Sequence, residues 1–262
     1  AIEILEEVPE LQKKEQLNLI ILNSLKKYVD VFKNKRIQKV KNKINNLSFI
    51  SETFQRCYLD DKNTGSYFSK LINNSQADYS RYIYFYLTYL LEKNQIEDAK
   101  LITNELNYIN TSLLLSQGKS WIEKNDYKEF TKVFSCNNHN DIISEFLFLI
   151  SNLYSSEDDI EKSNFYLNLS NYLNPKFILN STLIAENFYL NEEYEKAQKI
   201  LKNFDKKYEF YYWFRVKKEA QIIIKDKGYD EGINYLSLKF SKIKNPNVKM
   251  VFDIANFYKN SK

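Results

Sequence analysis

His139 is the only histidine of the 262-residue chain, and around it the stretch SCNNHND brings three reactive side-chain types close together. Cys136 lies three residues before the imidazole and Asp141 two after it. Thiolate, imidazole and carboxylate are the ingredients of an activated nucleophile or of a metal site. Both need more than this. A zinc site closes on four ligands and usually gathers them from two clusters, whereas the chain has no CxxC and no second His/Cys cluster. H-E-x-x-H, G-x-S-x-G and glycine-rich phosphate loops are missing as well. Acids such as Glu157, Asp158 and Asp159, or Glu192 and Glu193, stand in polar stretches between apolar segments, where they favour a helix dipole. Acid–base catalysis needs two carboxylates converging on one cleft with unlike pKa values, and their spacing does not supply it. The expectation is a non-enzymatic protein with no metal and no cofactor, His139 being a loop residue without a role. Cys57 and Cys136 permit one disulfide but their spacing does not demand it, so the redox compartment stays open.

What would position any site is helical. Only four glycines (Gly65, Gly118, Gly228, Gly232) and three prolines (Pro9, Pro175, Pro246) punctuate the chain, too few for the positive-φ turns and close backbone approaches of open α/β or all-β folds. The net charge is +4, yet only four of the 38 basic residues are arginine (Arg36, Arg56, Arg81, Arg215). Phosphate and base-edge recognition favours arginine's planar fork, so the balance speaks against nucleic acid. The longest apolar run, YIYFYLTYLL at 82–91, falls short of the roughly 18 residues that a membrane helix needs. The first residue is Ala1, and no signal peptide is visible. Both a cytoplasmic protein and one exported with its leader removed, to a periplasm or cell envelope, fit these features.

Self-similarity carries the organisation. Small residues recur in pairs twelve apart: Ser151 and Ser163, Ala185 and Ala197, Ala220 and Gly232; Gly118 precedes Phe130 and Leu87 precedes Ala99 at the same distance. The second members fall at 99, 130, 163, 197 and 232, and Ala255 opens a sixth instance. Three residues after each first member comes a large side chain: Leu90, Trp121, Tyr154, Phe188, Ile223, Tyr258. Spacings of three and four share a helical face, so each unit predicts a helix, a polar turn and a second helix. Small residues mark where two helices of a hairpin come closest, since a large side chain there would push the axes apart.

This pattern resembles the tetratricopeptide (TPR) repeat family, in which small residues occupy the eighth and twentieth positions, a large aromatic the eleventh and often a proline a place near the thirty-second. The unit from Ser144 carries Ser151, Tyr154, Ser163 and Pro175 there, and the unit from Ile178 carries Ala185, Phe188, Tyr194 and Ala197. The unit from Trp213 has Ala220, Tyr229 and Gly232, with Pro246 slightly late; units from Ser80 and Thr111 are degenerate, with Leu87 and Phe130 in small-residue places. The resemblance implies an all-α solenoid of about five such repeats over 80–262, with units starting near 80, 111, 144, 178 and 213 and a solvating cap at 247–260. An N-terminal helical segment, residues 1–79, precedes it. There LQKKEQLNLIILNSLKKYVDVF (11–32) reads as a long amphipathic helix. INNLSFISETFQRCYL (44–59) and SYFSKLINN (66–74) read as two more helices and as a candidate eroded repeat.

The resemblance also implies a concave groove lined by the second, fifth, ninth and twelfth places of each unit. They are Arg81, Tyr84 and Thr88; Leu115 and Lys119; Phe148 and Asn152; Thr182, Glu186 and Tyr189; Lys217 and Gln221; Phe252 and Asn256. Amides, lysines and aromatics together suit an extended peptide, so the expected function is a scaffold or adaptor holding a protein or peptide partner. The alternative is a nucleic-acid or anionic-surface binder. It would use the acid-free run VFKNKRIQKVKNK (31–43), with Lys33, Lys35, Arg36, Lys39, Lys41 and Lys43, together with the C-terminal lysines. The bland reading of that run is a solvated helix end. The dense stretches YIYFYLTY (82–89) and YEFYYWF (208–214) are expected to pack mostly between helices.

Overall fold

The computed structural model describes residues 16–38, 45–73 and 81–259, which are helical throughout and contain no strand. In chain order the helices are α1 (Gln16–Asn34), α2 (Asn45–Tyr58), α3 (Thr64–Ile72), α4 (Arg81–Glu92), α5 (Ile96–Asn104), α6 (Leu113–Glu123) and α7 (Lys128–Val133). They continue with α8 (His139–Ser156), α9 (Ile160–Leu173), α10 (Leu179–Leu190), α11 (Tyr194–Leu201), α12 (Glu209–Lys227), α13 (Tyr229–Ser241) and α14 (Val248–Lys259). No helix among the described residues is long and apolar enough to cross a membrane.

One turn stops five of these helices. Asp60, Asn94, Asn125, Asp158 and Glu192 adopt positive φ of 53° to 60°. In each, the residue's own N–H returns to the carbonyl three back, and the next N–H reaches the carbonyl five back: Asp61 to Arg56, Gln95 to Leu90, Asp126 to Trp121, Asp159 to Tyr154, Glu193 to Phe188, at 2.8–3.0 Å. These are the two bonds of a Schellman turn, which satisfy carbonyls that a helix end leaves open. Asn and Asp tolerate the left-handed conformation best among residues with a side chain, and four of the five are Asn or Asp. In four of the turns the carbonyl five back belongs to the large residue of the sequence period: Leu90, Trp121, Tyr154 and Phe188. Gly228, at φ 95°, stops α12 differently, with a single return to Ile224 at 3.1 Å.

The Asp60 turn carries the period into the N-terminal segment. Asp60 lies 34 before Asn94, and Gly65 follows Asp60 as Ala99 follows Asn94. Thr53, twelve before Gly65, is fully buried. There α2 packs on α3 across a helix stop of the same kind. Composition hides the period in this segment, because threonine and arginine stand at its first two marker positions.

The three better-matched units form antiparallel hairpins. In α8–α9 the Ser170 hydroxyl donates to the Ser144 carbonyl at 2.7 Å, and the Tyr154 and Tyr166 rings stack at 5.5 Å. Ala185 and Ala197 share a buried cluster with Leu201, Phe204 and Tyr211, flanked by Phe188 and Tyr194. In α12–α13, a Cβ on Gly232 would stand 2.9 Å from the Ala220 carbonyl oxygen and 2.3 Å from Ile224 Cγ1. Gly118, Ser151, Ala185 and Ala220 are all buried. Gly232→Ala should therefore destabilise by about 1–3 kcal/mol through overpacking, although alanine is the better helix former by ~1 kcal/mol. Urea unfolding checks this, and a stabilised variant would refute the close crossing.

By contact the helices gather in two units, each built from two stretches of chain: 1–96 with 128–177, and 97–127 with 178–262. All three boundaries lie within the stretch 80–262. In the first unit α1 and α2 pack on α8, and α4 packs on α3 and α7. Phe54, Phe68, Phe85, Phe134 and Phe177 form its aromatic interior. Cys57 and Cys136, 5.4 Å apart between Cα atoms, are joined by a disulfide. Phe130, bulky where a small residue was wanted, stacks on Tyr84 of α4 at 5.1 Å. In the second unit α6 packs on α12, Phe210 N–H donating to Gln117 at 3.2 Å. Lys249 reaches the carbonyls of Tyr108, Ile109 and Thr111 at 3.1–3.3 Å, and burial holds its pKa below the usual lysine range.

The last helix differs from the polar cap the sequence suggested. Met250 of α14 is buried, but Val248, Val251, Phe252 and Tyr258 are exposed. Val248 with Val251 and Phe252 at spacings of three and four, and Tyr258 two turns after Val251, make one apolar stripe.

Candidate functional site

The side chains expected in the groove separate into interior and surface groups. Tyr84, Thr88, Leu115, Lys119, Phe148 and Thr182 are buried. The Thr88 hydroxyl donates to its own helix at the Tyr84 carbonyl, and Thr182 likewise to Leu179. Lys119 donates to the Thr103 carbonyl at 2.7 Å and pairs with Glu123. Arg81 forms an ion pair with Glu145 and lies 4.6 Å from the Phe148 ring centroid. These side chains are spent on contacts within their own helix or unit. Asn152 is half-buried and Phe252 is exposed.

Further along, expected residues do meet. Glu186 of α10 pairs with Lys218 at 2.7 Å, and that ammonium sits 4.2 Å over the Tyr189 ring. Lys217 and Gln221 stand one turn apart on α12, as do Asp253 and Asn256 on α14, so the two pairs share a face on each helix. Lys217 pairs with Asp253 at 2.8 Å, and the same carboxylate oxygen accepts from Trp213 Nε1 at 2.9 Å. Beside them opens a pocket of about 280 Å³ lined by Gln221, Ile224, Tyr229, Asp253, Asn256 and Phe257. The Tyr229 hydroxyl donates to the Phe257 carbonyl, closing one wall. Gln221 Oε1 is buried and has no donor among the described residues. Leaving such an oxygen unsatisfied costs about 1–3 kcal/mol, so it is an acceptor available to a ligand N–H. Asp253 was missed from sequence, although it carried a signal: it is the only acid after Glu231.

Three carboxyl groups whose pKa is raised lie in the first unit instead. Glu145 has its pKa pushed up to about 7 by burial, with Arg81 opposing. Asp141 is pushed up to about 6, again by burial, while the Ser135 N–H at 2.9 Å and the Asn138 amide at 3.0 Å work against the shift. Glu92 is raised by burial and accepts from Ser135 Oγ. Asp141 and Glu92 thus fasten the turn between α7 and α8, a structural task.

His139 opens α8 rather than lying in a loop, 5.7 Å from the Phe32 ring, while Cys136 is bonded to Cys57. No group of three or more His, Cys, Asp or Glu among the described residues is placed to hold a metal. In the basic run, Lys33, Lys35 and Arg36 are exposed. Lys35 donates to the Tyr58 hydroxyl and lies 4.3 Å over its ring. Lys39, Lys41 and Lys43 fall outside the described residues. Of the dense aromatic stretches, Tyr82, Tyr84, Phe85, Phe210, Tyr211 and Trp213 are interior. No protein-family model, curated protein or solved structure matches the chain.

Proposed function

We propose that the chain is a TPR-like helical-repeat scaffold, its hairpins stacked as a solenoid, and that it holds an extended peptide segment of a protein partner at the α12–α14 pocket. The observation that carries this reading is the pocket's lining. Gln221 and Asn256 offer amide donors and acceptors, and Gln221 Oε1 awaits a donor. Ile224 and Phe257 supply an apolar floor, and Lys217 neutralises Asp253. A near-neutral, amide-walled cleft suits a peptide backbone, whose N–H and C=O groups take fixed hydrogen bonds while one apolar side chain enters the floor. The Cys57–Cys136 bridge favours an oxidising compartment for this work.

Selection from a random displayed peptide library on the immobilised full chain tests it. The expected outcome is a consensus with one large apolar residue, and peptides that compete with one another for a single site. A library that yields no competing family of sequences would refute the reading.

A further inference from the structure

A second pocket of the same unit is unlike the first in charge. It measures about 310 Å³ and lies where α12 begins, α13 ends and α14 begins. Lys206 from the α11–α12 connection, with Lys239 and Lys242 from the end of α13, stand in its lining. None of the three ammonium groups has an acidic partner among the described residues. Lys206 lies 5.7 Å over the Tyr212 ring and Lys239 5.1 Å over that of Tyr235. The one acid of the lining, Glu209, is already engaged: its Oε1 pairs with Lys124 at 3.2 Å and accepts from Ser120 at 2.7 Å.

The surroundings add to the positive field. From Gly232 to Phe252 the sequence has lysines and no acid. Asn247 caps α14, its Oδ1 accepting from Met250 N–H at 3.0 Å, and its Nδ2 is buried with no acceptor among the described residues. The end of α13 opposes this with about half an elementary charge, too little against three full ones. The floor is apolar, made by Tyr212, Ile243 and Met250.

We propose that this pocket binds a phosphomonoester carried on a small organic body, with Lys206, Lys239 and Lys242 taking the phosphate and the body lying on Tyr212, Ile243 and Met250. Three separately rooted ammonium groups are point donors, one for each oxygen of a tetrahedral oxyanion; a planar carboxylate is better met by arginine's fork. The volume is that of a small-molecule site. The site shares no residue with the peptide pocket and stands without it.

Isothermal titration of the full chain with phenyl phosphate, inorganic phosphate and benzoate tests the assignment. Phenyl phosphate should bind in the sub-millimolar range and about tenfold more tightly than either competitor. Lys239→Ala and Lys242→Ala should each weaken it about tenfold, the loss of a charged hydrogen bond. Lys225→Ala, an exposed lysine on α12 outside the pocket, should leave it unchanged. Lys242 is exposed, so its truncation does not threaten folding. Affinity should also rise with pH through ~6 as the phosphate takes its second charge. No binding at about 10 mM, equal affinity for inorganic phosphate, a preference for benzoate, or indifference to both lysine variants overturns the proposal.

Discussion

A chain in which Cys57 and Cys136 are both replaced by alanine should unfold with about 4 kcal/mol less stability than the parent, the loss of loop entropy expected for a bridge of this span. The bridge joins residues 79 apart in sequence. What makes it matter is the path of the chain, which leaves the first unit at residue 96, contributes 97–127 to the second, and returns at 128. Without a covalent tie, α2 and the α7–α8 connection must find each other across that excursion. Both half-cystines are buried, 2% and 1% exposed, so a reductant should act slowly on the folded protein. Denaturant unfolding with and without dithiothreitol checks the claim. The parent should lose stability in reductant and the alanine pair should not; equal midpoints for parent and variant would contradict it.

Arg81→Met should cost roughly 1–2 kcal/mol at pH 8, because it removes the cation paired with the buried Glu145 carboxylate, which then holds its proton to higher pH. The loss should shrink at pH 5. Glu145 already has a folded-state pKa raised from 4.5 to about 7, burial being the larger cause. A raised carboxyl pKa means that the folded state holds the proton more tightly than the unfolded state. Its contribution is therefore fully present below about 4.5 and is lost as pH rises through about 7. Asp141 acts in the same direction as pH rises from 3.8 through about 6. The parent should then lose stability across this window, by on the order of 1 kcal/mol for each pH step of one that a single carboxyl group spans. Glu145→Gln should flatten that slope. A part of the Arg81 loss independent of pH will remain, since the guanidinium also lies over the Phe148 ring. Stability curves at several pH values separate the two contributions, and an Arg81→Met cost that does not change with pH would show that Glu145 is not the group responsible.

The helices and the three later hairpins were legible in the sequence because their signals are local. Ser151 with Ser163, Ala185 with Ala197 and Ala220 with Gly232 report a contact between neighbours joined by a short turn. The stops at Asn94, Asn125, Asp158 and Glu192 were legible too, but only as polar turns; with Asp60, not read as a turn, they sit at one place of the period and mark left-handed turns. Asp60 would have revealed the α2–α3 pair. The groove residues were harder. Tyr84 and Thr88 were assigned by their place in a unit, whereas α4 packs on α7, and Phe130 fills the space beside Tyr84. A partner chosen across a long stretch of chain leaves no mark in local spacing. Lys217, Gln221 and Asn256 came closer because α12, α13 and α14 are consecutive and lie in one unit. The lysines around the second pocket come from the α11–α12 connection and the end of α13, and only folding assembles them.

Titration of a library-selected peptide into the parent chain and into Gln221→Ala and Asn256→Ala tests the α12–α14 site most directly. Each truncation should weaken binding about tenfold, the worth of one or two lost hydrogen bonds to the peptide backbone. Tyr172→Ala, at the most exposed aromatic of α9, should leave the affinity as it was. Affinities unchanged in both pocket variants, or a loss as large in Tyr172→Ala, would contradict the assignment of the peptide to this pocket.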